Sequence, residues 1–246
     1  MFYSTEDGRF VKSEKFNKPT PAEIAYWGGY FFYHNRLHRN YQDDISLHYY
    51  LLASKDGITI GKRYFKHENN KEDYPFSPSG HNLYDNNSKL YYCRDFDNIV
   101  YQIHEDSVVP RFRINLPNPL PASMIEERPN EMSLLRSGYS LGITDIYEYG
   151  GLLFFRFVKD GYIWSCLYNV EESKQVYCAK RIKFLDSSLI DTIDGIYKDC
   201  FYSILTPEYL DYAFSENPLE DYPDLFKTYD VEGDNPVIAF YRAVVR

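Results

Sequence analysis

Residues 48–65, HYYLLASKDGITIGKRYF, decide the fold class of this chain. Two runs rich in aromatic and β-branched residues flank the dipeptide Asp56-Gly57, which is a strong signal for a tight β-hairpin turn. Polar turns of the same kind recur between similar runs at residues 6–8, 85–88 and 160–161. The sequence therefore predicts an all-β meander of antiparallel hairpins.

The composition favours strands and a single domain. Among 246 residues there are 26 Tyr and 17 Phe, and 44% of the chain is hydrophobic. Tyrosine suits a half-buried pleated surface because its ring packs while its hydroxyl stays in water. A β domain of ~200–250 residues is a common unit, so residues 1–246 are predicted to form one domain.

The turns divide the chain into units of about 40–50 residues, the spacing of four-stranded propeller blades. Four to five such units are predicted: a hairpin at 2–16; strands at 24–27, 30–34, 49–54 and 58–66; strands at 81–84, 89–93, 99–104 and 109–116; strands at 140–149, 152–158, 162–170 and 176–184; and strands at 194–198, 200–205 and 236–245. A short helix is predicted at 207–214. Residues 69–80 and the proline-rich 116–121 are predicted connectors, and 122–135 is expected to be a short helix or ordered loop.

The charge balance argues against a nucleic-acid partner. The formal net charge is −9, whereas binding to phosphates needs a concentrated basic surface. Basic residues that alternate or cluster along strands are interpreted as solvated strand faces; they are Arg111, Arg113, Lys180, Arg181 and Lys183.

The cysteines indicate neither a zinc site nor a redox pair. Cys93, Cys166, Cys178 and Cys200 lie far apart with no C-x-x-C spacing. They are expected to be small buried hydrophobes. The alternative, a disulfide between Cys166 and Cys178 in an oxidising compartment, stays open because these two flank one turn.

No membrane span or signal peptide is predicted. No apolar run approaches the ~20 residues that a membrane helix needs, and the first residues resemble a strand entering a turn. Since such a start is unusual, we expect the chain as given to lack an N-terminal portion.

Three stretches carry a family resemblance: SGHNLYDNNSKLYYCRDFDNIVYQIHEDSVVPRFRINL at 79–116, YNVEESKQV at 168–176 and EGDNPVIAFYRA at 232–243. Their order resembles the six-bladed β-propeller proteins of Bacteroidetes, which are domains of unknown function, and the resemblance covers most of the chain from Phe76 onward. Members of that family are usually longer and are exported lipoproteins, whereas this sequence has no lipobox and too few units for six blades. The resemblance therefore implies a periplasmic or cell-surface location if the N terminus is incomplete, and the cytoplasm otherwise.

The shortage of blades has two explanations. In the favoured one the ring is incomplete, and its open edge pairs with a second copy or is covered by loops. In the other, the hairpin at 2–16 supplies outer strands to the unit that ends at 236–245 and closes a smaller ring.

Histidine and aspartate clusters give weak hints of metal chemistry. His34 and His38 have the i,i+4 spacing of a helical metal pair, but they follow a strand and have no third ligand. Asp95, Asp97 and Asn98 resemble part of a calcium loop that lacks its glycine and distal glutamate. A surface loop and an Asx turn are the favoured interpretations, so no metal ligand is predicted.

Acid–base chemistry has one weak candidate. His81 starts the inner strand of the third unit and could titrate near neutrality, but a structural histidine is favoured, as it is for His104. Adjacent acidic pairs point to opposite strand faces; they are Asp43-Asp44, Glu126-Glu127 and Glu171-Glu172. Aromatic residues could stack on a sugar or a peptide, although packing between blades is favoured; they are Tyr26, Trp27, Tyr30, Tyr49 and Trp164. No G-x-S-x-G, H-E-x-x-H, P-loop or Rossmann pattern occurs.

The leading hypothesis is thus a non-catalytic binding or scaffold propeller that presents loops to a glycan, a peptide or a protein. No catalytic residue and no cofactor are predicted, and the ligand-binding residues stay unassigned. One alternative is a propeller enzyme that acts on carbohydrate through carboxylates near the axis. The other is a subunit that self-associates through an exposed blade edge.

Overall fold

Hairpin-connected antiparallel strands account for most of the regular structure in the described part of the chain. The computed structural model describes residues 2–3, 9–12, 21–36, 48–67, 77–78, 80–180, 182–184, 187–190, 193–216, 230, 233 and 235–242. The strands are β1 Phe2–Tyr3, β2 Phe10–Lys12, β3 Glu23–Trp27, β4 Tyr30–His34, β5 Tyr49–Ser54, β6 Lys62–Lys66, β7 Leu83–Asn86, β8 Lys89–Tyr92, β9 Ile99–Ile103, β10 Val108–Arg113, β11 Ser140–Tyr149, β12 Leu152–Lys159, β13 Tyr162–Asn169, β14 Lys174–Ala179, β15 Ile182–Phe184, β16 Ser187–Ile190, β17 Gly195–Tyr197, β18 Cys200–Leu205 and β19 Val237–Tyr241. The helices are α1 Ala122–Glu126, α2 Glu131–Leu135 and α3 Pro207–Glu216.

The chain divides into two compact units, residues 1–73 and 74–246, and each is described by itself. The first contains the β1–β2 hairpin and a four-stranded sheet in the order β3-β4-β5-β6. Phe32, Leu51 and Ala53 are buried in that sheet. The N-terminal hairpin predicted at 2–16 is confirmed in its two strands, whereas its turn at residues 6–8 lies outside the described residues.

The loop between β5 and β6 corrects the opening prediction. In place of a strand from residue 58, the chain forms a loop around Asp56, whose Oδ1 accepts hydrogen bonds from the backbone N–H of Thr59 (2.7 Å) and Ile58 (2.8 Å) and from the Ser54 hydroxyl (2.8 Å). The Thr59 N–H first, then the other donors, hold the pKa of Asp56 well below its usual range. Because an Asx side chain can replace ladder hydrogen bonds in this way, the strand begins only at Lys62.

The second unit contains two four-stranded sheets with strands in sequence order, β7–β10 and β11–β14. It also holds the β15–β16 hairpin and the three-stranded β17–β19 sheet. The β12–β13 hairpin follows the prediction closely, since Asp160 and Gly161 have φ of 55° and 72° and Lys159 pairs with Tyr162. Positive φ at both central residues matches the type I′ turn that Asp-Gly favours.

One predicted strand of this unit differs from the structure, and one hairpin was not predicted. The strand predicted at 176–184 ends at Ala179, because the chain bends at Lys180, whose ammonium lies 3.4 Å from the centroid of the Tyr162 ring. A separate hairpin, β15–β16, follows and was not predicted.

The connector at 116–121, the short helices in 122–135 and the helix predicted at 207–214 are confirmed. Within the described ranges, no helix is both long and apolar enough to cross a membrane.

The first strands of the three larger sheets of this unit lie next to one another. Strand β11 contacts β7 and β17, and β7 also contacts β17. The main core cluster forms around them and includes Tyr91, Val100, Ile146 and Phe154, each 2% exposed or less. Burial of a large apolar side chain such as Phe154 contributes roughly 1.5–3 kcal/mol, so this shared core is the principal stabilising feature of the unit.

The β8–β9 turn docks onto β11 through a glycine. Gly142 has φ of 98°, and a Cβ built on it would lie 2.6–2.9 Å from backbone atoms of Phe96. The Ile143 N–H donates to the carbonyl of Asp97 at 3.0 Å, and Asp97 Oδ1 accepts from the backbone N–H of Ile99, two residues on, at 3.1 Å. The Asx turn predicted here is therefore confirmed.

A partly buried glutamate joins the β7–β10 sheet to β11. The side chain of Glu148 is 9% exposed and accepts hydrogen bonds from Lys89 Nζ (2.8 Å), Arg111 Nη2 (3.0 Å) and the Tyr91 hydroxyl. Its backbone N–H donates to Asn86 Oδ1 at 2.6 Å. Burial raises the pKa of Glu148, but the three donors outweigh it and hold the pKa below its usual range. Arg111 is exposed, as predicted for a solvated strand face, and it also forms this ion pair.

A disulfide joins Cys166 on β13 to Cys178 on β14. The two residues are direct partners in the strand register, so the alternative left open by the sequence is the one observed. Cys93 is a buried free thiol, as predicted, whereas Cys200 is half-buried.

Candidate ligand-binding cleft

A cleft of about 580 Å³ lies within the second unit, between strands β11–β13 and strand β18 of the β17–β19 sheet. Clefts of ~300–1,000 Å³ are typical of small-molecule sites. The lining residues come from the segment before β7, from β11, β12, β13 and β18, and from the segments before β17 and α3: Pro78, Gly80, His81, Thr144, Asp145, Tyr147, Arg156, Val158, Ile163, Asp194, Ile204 and Thr206.

A β-bulge in β11 positions the central acid of the cleft. Thr144 pairs with Arg156 and Tyr147 with Phe154, so two residues of β11 face one residue of β12. The first of these two, Asp145, has φ of 53°. A bulge re-aims a side chain, and aspartate tolerates the left-handed region better than most residues do. Backbone strain of this kind often accompanies functional sites.

An ion pair fixes the polar centre of the cleft. Arg156 Nε donates to Asp145 Oδ2 at 2.8 Å, and the Thr144 hydroxyl donates to the same oxygen at 2.7 Å. The Arg156 and Asp145 side chains are 19% and 16% exposed. Among the described residues, nothing accepts a hydrogen bond from the terminal nitrogens of Arg156 or donates one to Asp145 Oδ1. A rigid donor and a rigid acceptor therefore remain available side by side.

A second contact ties β11 to the opposite wall. The Tyr147 hydroxyl donates to the backbone carbonyl of Asp194 at 3.0 Å, and the Ile204 N–H donates to Asp194 Oδ2 at 2.7 Å. Burial first, and then the charges of Asp145 and Asp194, raise the pKa of the Tyr147 phenol. Tyr147 consequently stays protonated and acts as a structural donor.

The remaining walls are aliphatic. Val158 on β12 faces its register partner Ile163 on β13, and Ile204 lies across the cleft on β18. Ile163 and Ile204 are 49% and 47% exposed. Exposed branched side chains beside a polar centre provide apolar contact area for a ligand.

One residue singled out from the sequence lies in this cleft. His81 is exposed at the cleft wall, and its backbone carbonyl accepts a hydrogen bond from the Tyr84 hydroxyl. His104 lies in the turn after β9, outside the cleft. His34 is buried at the end of β4 in the first unit, and His38 lies outside the described residues.

The other candidates do not assemble into a site. Within the described ranges, no three histidine, cysteine, aspartate or glutamate residues gather as metal ligands. Glu126-Glu127 and Glu171-Glu172 are exposed and lie outside the cleft, and Asp43-Asp44 falls outside the described residues. Trp164 stacks on Phe157, its register partner in the same sheet, and not across two sheets as packing between blades would require. Tyr26 is 64% exposed in the first unit.

Sequence reasoning missed the ion pair itself. A signal did exist, because Asp145 lies within the otherwise apolar segment LGITDIY and Arg156 within LLFFRFV. An ionised residue inside an apolar strand requires a partner. Pairing the two required the bulged register, which the sequence does not reveal.

The family of this chain follows from a comparison with known families. The model of a family described as "Domain of unknown function (DUF4934)" matches residues 1–242. The chain belongs to this family. That the chain belongs to a domain of unknown function is thus confirmed, and DUF4934 membership by itself assigns no activity.

The solved structures include one similar fold. It is a crystal structure from Bacteroides fragilis described as that of a "putative exported protein", with a TM-score of 0.75 and 15% sequence identity. The match covers 99% of this DUF4934 chain and 70% of that chain. At this identity the likeness concerns the fold. No curated protein matches the chain.

Proposed function

We propose that this chain is a β-propeller that binds a ligand in the cleft and does not transform it. The Arg156–Asp145 pair carries the proposal, because it is held in place by the bulge and leaves hydrogen-bonding groups unused at a cleft wall. Preorganised polar groups beside apolar walls are the usual composition of a binding site.

The propeller architecture is supported by the order and contacts of the sheets. Successive sheets contain hairpin-connected strands in sequence order, and their first strands β7, β11 and β17 contact one another, as inner strands around a common axis would. Six blades are proposed from the family that the sequence resembles.

A non-catalytic role is supported by the engagement of both aspartates. Asp145 accepts from Arg156 and Thr144, and Asp194 accepts from Ile204. A general acid or nucleophile must be free to change its protonation or bonding. The enzyme alternative is favoured by one observation, that two carboxylates and His81 share one cleft. Release of reducing ends from a bound oligosaccharide would support that alternative.

A cleft variant tests the proposal. We expect Arg156→Ala to weaken binding at least ~10-fold, because a charged hydrogen bond contributes about 1.5–3 kcal/mol. Hits from a mixed library of short oligosaccharides, peptides and small metabolites would be identified by ligand-observed NMR and titrated calorimetrically.

Two further variants make that test specific. Arg113→Ala removes the same charge from an exposed position on β10, outside the cleft, and should bind normally. Ile163→Ala removes an exposed apolar wall and should weaken binding without loss of folding. Unchanged affinity in both cleft variants would contradict the proposed site.

We also propose an oxidising, extracytoplasmic location. It is supported by the Cys166–Cys178 disulfide and by the description of the Bacteroides fragilis neighbour as a "putative exported protein", since structural disulfides persist mainly outside the reducing cytosol. The protein is purified from its natural host without reductant, denatured and alkylated, and the modified cysteines are counted by intact mass. We expect only Cys93 and Cys200 to be modified before reduction, and all four cysteines after it. Four modified cysteines without reduction would contradict the location.

A further inference from the structure

We propose that the ligand of the cleft is a neutral, polyhydroxylated molecule, a short uncharged oligosaccharide. This inference rests on the proposed function and adds the chemical class of the ligand. Three independent features carry it: the pairing of donor and acceptor at the polar centre, the local charge, and the pairing of the strands that form the walls.

The polar centre matches a sugar hydroxyl. Arg156 offers terminal N–H donors, and Asp145 offers Oδ1 as an acceptor, within one ion pair. A hydroxyl group both donates and accepts, so one hydroxyl, or two adjacent ones, can bond to both partners. Because Nε of Arg156 is already bound to Asp145, the guanidinium is held in one orientation and loses little freedom on binding.

The local charge disfavours an acidic ligand. One arginine and two aspartates, Asp145 and Asp194, line the cleft, and the chain carries a net charge of −9. A carboxylate or phosphate that approached Arg156 would meet the charge of Asp145 as well. A neutral polar ligand gains the same hydrogen bonds without that repulsion.

The strand pairing disfavours an extended peptide. Strands β12, β13 and β18 line the cleft, and each is paired with a neighbour on both sides. Strand β11 also lines it and is the edge of its sheet, but its Ile143 and Glu148 N–H groups already donate to Asp97 and Asn86. Peptide recognition by strand addition needs an unpaired edge. Recognition therefore falls on the side chains, while exposed Ile163 and Ile204 can contact the C–H faces of sugar rings.

The test is a glycan array with matched neutral and acidic oligosaccharides, including galacturonan oligomers and their methyl esters, together with a short-peptide library. Hits are titrated against the wild type, Arg156→Lys and Asp145→Asn. Asparagine tolerates the positive φ at residue 145, so Asp145→Asn removes the charge with little change to the bulge.

We expect neutral oligosaccharides to bind, with affinity almost independent of salt and about tenfold weaker in Asp145→Asn. Tighter binding by Asp145→Asn, or salt-sensitive binding of acidic sugars, would overturn the neutral class while leaving the cleft as a binding site. Peptide hits that lose affinity in Arg156→Lys would do the same. If the hits bind every cleft variant as tightly as the wild type, or if nothing binds at all, both proposals are overturned.

The preference between an acidic oligosaccharide and its neutral ester provides a readout that needs no variant. Wild-type binding of a galacturonan oligomer and of its methyl ester can be compared at low and high ionic strength. The ester is expected to bind more tightly at both, and a preference for the free acid would overturn the inference even if Asp145→Asn failed to fold.

Discussion

Replacement of Gly142 by alanine is expected to destabilise the second unit by about 3 kcal/mol or more. The new Cβ would lie 2.6–2.9 Å from backbone atoms of Phe96, which cannot rotate away as a side chain could. The φ of 98° also disfavours any residue with a Cβ. Urea unfolding followed by tryptophan fluorescence should show a lower midpoint.

Gly161→Ala is the matched control for this variant. Gly161 also has positive φ, 72°, but its Cβ would meet no atom within 4 Å. Its loss of stability should therefore be limited to the backbone term, about 1 kcal/mol. If both variants lose the same free energy of unfolding, the close contact between Gly142 and the Phe96 backbone is not the cause of the destabilisation.

Replacement of Glu148 by glutamine is expected to cost about 2 kcal/mol at neutral pH. The change keeps the shape of the side chain but removes the charge that Lys89, Arg111 and Tyr91 contact. The loss stays moderate because Lys89 and Arg111 are 37% and 40% exposed, so water can still solvate them. Chemical denaturation of the wild type and Glu148→Gln in parallel measures this difference in the free energy of unfolding.

The pH dependence of this difference has a defined sign. The folded pKa of Glu148 lies below its usual value, so its contribution is fully present above the unfolded carboxyl pKa of about 4.3. It is lost as pH falls through the folded pKa, and the wild type and Glu148→Gln should converge in acid. Asp160→Asn, which breaks an exposed pair with Lys159, should change stability by about 0.5 kcal/mol or less. A constant gap at all pH values would contradict the ion-pair account.

The sequence predicts the hairpins well because turn chemistry is local. Asp160-Gly161 specifies its turn from two adjacent residues, and the strands on either side follow from it. The same dipeptide misleads at Asp56-Gly57, where the aspartate side chain captures the backbone N–H groups of Ile58 and Thr59. Periodicity cannot distinguish these two uses of Asp.

The cleft was less accessible to sequence reasoning because it depends on distant pairings. Asp145 and Arg156 lie on neighbouring strands in a bulged register, and Asp194 reaches the same cleft from the segment before β17. Among the residues that line the cleft, the sequence singles out only His81, because it starts the predicted inner strand of the third unit, where propellers gather ligand-contacting residues around the axis. The charged residues inside apolar strands were the missed signal.

The left-handed backbone at Asp145 has a consequence for the time course of recognition. The guanidinium of Arg156 and the carboxylate of Asp145 are already hydrogen-bonded in the folded chain. These two side chains are therefore ordered when the protein folds, before a ligand binds. Association can then occur in a single bimolecular step, so the lifetime of the complex, more than its rate of formation, would distinguish good ligands from poor ones.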